Sequence, residues 1–226
     1  MPADTQHSHS NEQQQMDAVV IQASGPPAQS LAYRCEPVPA PGPGEVLVEV
    51  HAAAVNPLDV ANAAGLLGTP LPMIPGVDFA DIVISDGDHT GQEVRGSAPA
   101  LGMTRPGTHA RFVTLPETWL SRKPERLTMA EAAAVGRPYL SAWQTVINDG
   151  ELTPGETILI TGGAGMVGQA ATAIARWRGA EPIIADLKRR KRSGRRQMTS
   201  QPAVDHNIGA PSGHQRKTLC IANGGG

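Results

Sequence analysis

The sequence predicts a mixed α/β chain in two parts. A compact antiparallel barrel or sandwich spans residues 17–120, and an incomplete doubly wound parallel unit follows, reaching residue 186. Three observations predict this. Short apolar runs separated by Gly, Asp and Pro fill the first half. One strand–glycine turn–helix–strand unit occupies residues 157–186. Beyond it, apolar periodicity stops.

The totals bound the class. At 226 residues the chain holds one large domain or two small ones. Apolar residues make up 40% but aromatics only 3%, so the core is built from Ala, Val, Leu and Ile. No apolar run approaches the roughly 20 residues needed to span a bilayer, and the N-terminus lacks an apolar h-region. No membrane partner is expected. Cys35 and Cys220 fit no metal spacing, and a reduced cytoplasmic setting is the simpler expectation.

The elements follow in order. Residues 1–15 are polar and aperiodic, a solvated tail carrying His7 and His9. Residues 17–22 (DAVVIQ) form the first strand. Residues 37–44 (PVPAPGPG) make a stiff turn region before residues 45–53, where Val46, Val48 and Val50 alternate with Leu47, Glu49 and His51. That is a half-buried strand with His51 on the face away from the valines. Residues 57–64 begin with Pro57 and close at Gly65, one or two helical turns. Strands are expected at 79–85, 93–95 and 111–115. Asp81 falls beside Ile82 in the first of these, where an unpaired acid is costly. Thr128 with Glu131 three residues on is a capping box that starts a helix over 128–135. A second helix covers 138–149 and ends at Gly150.

Residues 157–160 (TILI) are an apolar run of buried-strand type. Gly163, Ala164, Gly165, Met166, Val167 and Gly168 then supply G-x-G-x-x-G at a helix start. Gly163 is expected to turn tightly with positive φ, Gly165 to admit a pyrophosphate, and Gly168 to let the helix lie close on the strand. The helix N-terminus presents free N–H groups to that diphosphate. A second strand at 182–185 ends in Asp186, placed for a ribose hydroxyl. A lone glycine triplet also arises in ordinary strand–helix turns. The complete unit shifts the balance to nucleotide binding.

The last 40 residues differ in kind. Residues 187–226 hold nine Lys/Arg against one acid, a net +8, whereas the preceding 186 hold ten basic and twenty acidic residues, a net −10. A doubly wound domain needs about six parallel strands, and only two are found. A frameshift, mis-splicing or truncation near residue 187 is the expectation. KRRKRSGRR carries no interleaved aromatics, so a solvated basic run is expected and no nucleic-acid partner.

Four stretches together resemble the medium-chain dehydrogenase/reductase superfamily, in its zinc-free quinone oxidoreductase (zeta-crystallin-like) branch. They are PAPGPGEVLVEVHAAAVNPLDV (39–60), IPGVDFA (74–80), EAAAVGRPYLSAW (131–143) and GELTPGETILITGGAGMVGQAA (150–171). The resemblance implies a GroES-like barrel domain over 16–127 and a partial Rossmann domain over 128–186, with an active site in the cleft between them. In zinc-dependent relatives a ligating Cys stands at the position of Asn56, and a His–Glu pair at Val77 and Asp78. Asn–Val–Asp offers no soft donor set, so no zinc is expected.

The implied chemistry is hydride transfer from a reduced nicotinamide to a small-molecule electrophile, a quinone or an α,β-unsaturated carbonyl. Asn56 and Asp59 are the family positions lining the catalytic cleft; each also reads as an ordinary helix-start residue. Ser141 falls where relatives contact the nicotinamide. The family Tyr is absent at Leu67, Tyr139 replaces a Gly, Gly136 a Pro, and Asp81 a Gly. Asp186 favours NAD(H), while Lys188, Arg189 and Arg190 favour NADP(H), the cofactor of most of that branch. NADP(H) is therefore expected, with NAD(H) as the alternative. The oligomeric state stays open, a homodimer among the options. The rival reading is a catalytically inactive fragment serving as a binding or dimerisation module.

Overall fold

Met16, Ala18 and Val20 alternate along one face of β1 (Gln15–Ile21) and are buried there. The computed structural model describes residues 14–185 together with Arg216–Lys217, and these fall into two units divided between Gly136 and Arg137. In the first unit β1 pairs antiparallel with β2 (Leu31–Pro37), in register from Ile21 opposite Leu31 to Gln15 opposite Pro37. The short helix α1 (Pro27–Ser30) joins them. The sequence reading missed β2. Its side chains, Tyr33 and Cys35 among them, are mostly exposed, so no apolar alternation marks it.

The main sheet contains β3 (Glu45–Ala52), β4 (Asp78–Val83), β5 (Glu93–Ser97), β6 (Phe112–Pro116) and β7 (Ser121–Arg122) in the order β6-β3-β4-β5-β7. Every pairing is antiparallel. Its buried face gathers Val46, Val48, Phe79, Val83, Val94, Leu101, Val113 and Leu115. Gly96 lies opposite Phe79, and a Cβ there would meet the Phe79 ring at 2.4 Å. Arg105 ties the rim together. It pairs with Glu45 at 2.8 Å, donates to the Thr114 carbonyl oxygen at 2.8 Å and stacks over Trp119. The Gly42 N–H and the Arg105 guanidinium hold the Glu45 carboxyl below its ordinary range.

Asp81 shares the Phe79 and Val83 face of β4, by strand alternation. It is fully buried, and neither carboxyl oxygen has a hydrogen-bond partner. Burial pushes its pKa well up; the neighbouring His51 N–H opposes this without reaching hydrogen-bonding geometry. The arrangement that the sequence marks as costly in this strand, an acid without a partner, is the one the fold contains.

The capping box at Thr128 forms as expected. The Thr128 side chain accepts from the Glu131 N–H at 3.2 Å, and Glu131 accepts from the Thr128 N–H at 2.9 Å. The helix it starts, α3 (Met129–Ala134), belongs to the first unit, because Ala132 and Ala133 pack on Ala80 of β4.

The second unit opens with α4 (Arg137–Trp143), which widens into a π-helical turn at Gln144–Asp149. The sequence suggested one regular helix here. The Thr145 hydroxyl donates to the Ser141 carbonyl oxygen at 2.8 Å, a back-bond that competes with regular helix geometry. Next come β8 (Thr157–Thr161), α5 (Met166–Trp177) and β9 (Glu181–Ala185). β8 pairs parallel with β9 and, on its other side, with β10 (Arg216–Lys217), giving the order β10-β8-β9. Ala142, Val146, Ile158, Ile160, Ala171 and Ala175 form the core between helices and sheet. Among the described residues, no helix is long and apolar enough to cross a membrane.

Candidate active site and nucleotide turn

In the first unit, α2 (Pro57–Ala63) presents Asn56 and Asp59 from one helix start. Pro57 at the first helical position presets φ and gives up no needed donor. Asp59 is buried and acts as an internal cap. One oxygen accepts the Asn56 N–H at 2.7 Å, and the other accepts the Gly76 N–H at 3.2 Å. Two backbone donors thus stabilise a carboxylate that also joins α2 to the 73–77 loop.

Asn56 is 3% exposed. Its Nδ2 donates to Asp78 Oδ2 at 2.8 Å. Asp78 is fully buried at the start of β4, and its carbonyl oxygen accepts from the Thr108 hydroxyl at 2.8 Å. Asn56, Asp59 and Asp78, 22 or fewer positions apart in sequence, therefore form one buried network, which Thr108 joins from 30 positions further on. The sequence reading singled out Asn56 and Asp59 for this place. It named Asp78 only as a lost metal position, and Thr108 not at all.

Gly136 bounds the network. A Cβ there would stand 2.4 Å from Asp78 Oδ1 and 2.7 Å from its Cγ. Gly136→Ala should displace Asp78 and cost the Asn56 contact, about 1–3 kcal/mol for buried groups left unpaired. Urea unfolding of the full chain measures this; an unchanged midpoint would show that Asp78 has room to move. Among the described residues, no group of three or more His, Cys, Asp or Glu side chains is placed to hold a metal ion.

In the second unit the glycine turn joins β8 to α5, and one expectation is corrected. The positive φ of +69° belongs to Gly162, one residue before Gly163. Gly163 is glycine for a different reason: a Cβ would lie 2.1 Å from Ile184 Cγ2 of β9. Gly168 behaves as expected. A Cβ there would sit 2.4 Å from the Gly162 carbonyl oxygen and 2.6 Å from Gly163 Cα, so α5 rests directly on the turn. Gly165 is the N-cap residue, and no side chain caps the helix. The N–H groups of Met166, Val167 and Gly168 belong to the first turn, whose donors have no partner within a helix. Ser141 lies half-buried on α4, which packs on α5. Asp186, Lys188 and Arg189 lie outside the described residues. Of the 187–226 tail only Arg216–Lys217 are described, and they pair as β10 beside β8, a third parallel strand where the sequence suggested two.

Residues 42–125 match the alcohol dehydrogenase GroES-like domain. A quinone oxidoreductase of Sus scrofa is 32% identical over 166 residues, covering 73% of this chain and 50% of that protein. The structure of the quinone oxidoreductase from Coxiella burnetii superposes with a TM-score of 0.68 at 30% identity, covering 76% of this chain and 56% of that one. The chain belongs to the medium-chain dehydrogenase/reductase superfamily. Within that superfamily it is also similar to a zinc-type alcohol dehydrogenase-like protein of Schizosaccharomyces pombe, 41% identical over 142 residues, 62% of this chain and 43% of that protein. The chain spans about half the length of these relatives. Its first unit is the superfamily's GroES-like domain, and its second carries the parallel strand–turn–helix–strand of the superfamily's mixed α/β architecture.

Proposed function

We propose that this chain is a zinc-independent oxidoreductase that binds NADP(H) on the Gly162–Gly168 turn and delivers hydride to a quinone or an α,β-unsaturated carbonyl. The observation that carries the reading is the glycine cradle. Cβ atoms are excluded at Gly163 and Gly168, and α5 starts without a side-chain cap, so backbone donors are left for an anion. A diphosphate fits such a surface. The superfamily relatives named quinone oxidoreductases support the acceptor class. NADP(H) is preferred to NAD(H) on the charge of Lys188 and Arg189.

The donor chemistry at Asn56, Val77 and Asp78 supports the absence of zinc. The Asn56 amide spends a proton on Asp78, and valine cannot ligate. A zinc ion does not fit these residues. When bound, the reduced nicotinamide supplies the hydride. The chain's own part is to bind, orient and exclude water. We assign Asn56 as the residue that touches the acceptor, with its amide orientation set by Asp78. Asp59, both oxygens committed to backbone, holds the helix start that carries Asn56. A cytoplasmic setting suits this chemistry.

Titration of the full chain with NADPH, followed by quenching of Trp fluorescence and energy transfer to the cofactor, tests the binding step. Saturable quenching is expected, as is NADPH-dependent reduction of a simple quinone that persists with a zinc chelator. Absence of quenching with either nucleotide would leave the inactive binding-module reading in its place.

A further inference from the structure

The glycine turn carries a feature that its motif does not require. Glycine-rich loops are permissive, and an unsupported peptide between Ala164 and Gly165 can rotate at little cost. Here both ends of that peptide are held. The Gly165 N–H donates to the Gly162 carbonyl oxygen at 3.0 Å. The Ala164 carbonyl oxygen accepts from Gln169 Nε2 at 2.8 Å. Gln169 lies in the first turn of α5 on its exposed side, between the buried Gly168 and Ala170, so its side chain contributes nothing to the core. Among the described residues, the hydrogen bond its side chain makes reaches back to the turn.

We propose that Gln169 is a positioning residue for the nucleotide turn, holding the Ala164–Gly165 peptide so that its carbonyl oxygen cannot rotate to face a bound diphosphate. The inference rests on the cofactor reading above. An anion at this helix start is attracted by N–H groups and repelled by any carbonyl oxygen turned toward it. A side chain that occupies that oxygen removes the repulsive arrangement before the ligand arrives, which is pre-organisation. Gln169 therefore acts on the free protein more than on the complex.

That distinction sets the test, carried out on the full chain. Gln169→Met keeps the length and removes the donor; Gln169→Lys keeps a donor able to reach the carbonyl. NADPH affinity is read from Trp quenching, and amide hydrogen exchange over residues 162–168 is read with and without saturating NADPH. Gln169→Met should weaken NADPH about fivefold, the scale of one exposed hydrogen bond. It should also speed exchange in the free protein, with the difference vanishing at saturation. Gln169→Lys should restore the slow exchange of the free protein.

Equal affinity in wild type and Gln169→Met, or an exchange difference that persists at saturation, overturns the proposal and leaves the cofactor reading intact. Failure of the wild-type chain to bind NADPH overturns both.

Discussion

Gly168→Ala is expected to abolish most nucleotide binding and to destabilise the second unit by about 3 kcal/mol, the scale of overpacking against a rigid partner. One added carbon would lie 2.4 Å from the Gly162 carbonyl oxygen and 2.6 Å from Gly163 Cα. Both are backbone atoms, so no side-chain rotation relieves the contact. Either α5 lifts off the turn or the turn deforms, and both move the N–H groups of Met166 and Val167. NADPH affinity should fall more than tenfold by Trp quenching, and the urea midpoint of the second unit should drop. The neutral comparison is Gly25→Ala, where the same carbon meets no atom within 4 Å. Unchanged affinity in Gly168→Ala would mean that the turn does not hold the cofactor.

The second large effect concerns Asp81. Its carboxyl is buried without a hydrogen bond on the Phe79 and Val83 face of β4, and burial raises its pKa well above the ordinary 3.8. Below that ordinary value the group is protonated both folded and unfolded, and it imposes no ionic penalty. As pH rises through 3.8 the unfolded chain releases the proton while the folded chain keeps it. Stability then falls with rising pH until the raised folded value is passed, and levels off above it. Asp81→Ala should remove this slope. Relative to wild type, the variant should gain stability between pH 4 and pH 8, because only wild type is penalised for its raised pKa as the pH rises. Near pH 4 that part is absent, leaving the pH-independent cost of an unpaired polar group, about 1–3 kcal/mol, set against the cavity left by the substitution. Denaturation series at several pH values provide the measurement, and parallel curves would show that Asp81 is ionised and paired in solution.

Local signals made several elements readable. The Thr128–Glu131 box, Pro57 at a helix start and the alternating valines of β3 each satisfy backbone or burial needs within a few residues. The structure repeats all three. The strand–turn–helix–strand over 157–185 was legible because its period and glycines are contiguous. β2 was not legible: its residues are held by pairing with β1, and exposure removes the apolar alternation that would mark them. Asn56 and Asp59 could be singled out, but their roles separated only in three dimensions. One amide turns to a carboxylate 22 residues away, and the neighbouring acid is consumed by two backbone donors.

The sequence by itself determined the two-part α/β order and the glycine turn, because each depends on residue chemistry or short-range spacing. Tertiary structure alone decided which glycine bears the positive φ, why Gly163 and Gly136 lack side chains, and where α3 belongs. Those are questions of close approach between segments distant in sequence. The Ile184 methyl against Gly163, the Asp78 carboxyl against Gly136 and the Ala80 face under Ala132 exist only once the strands have paired.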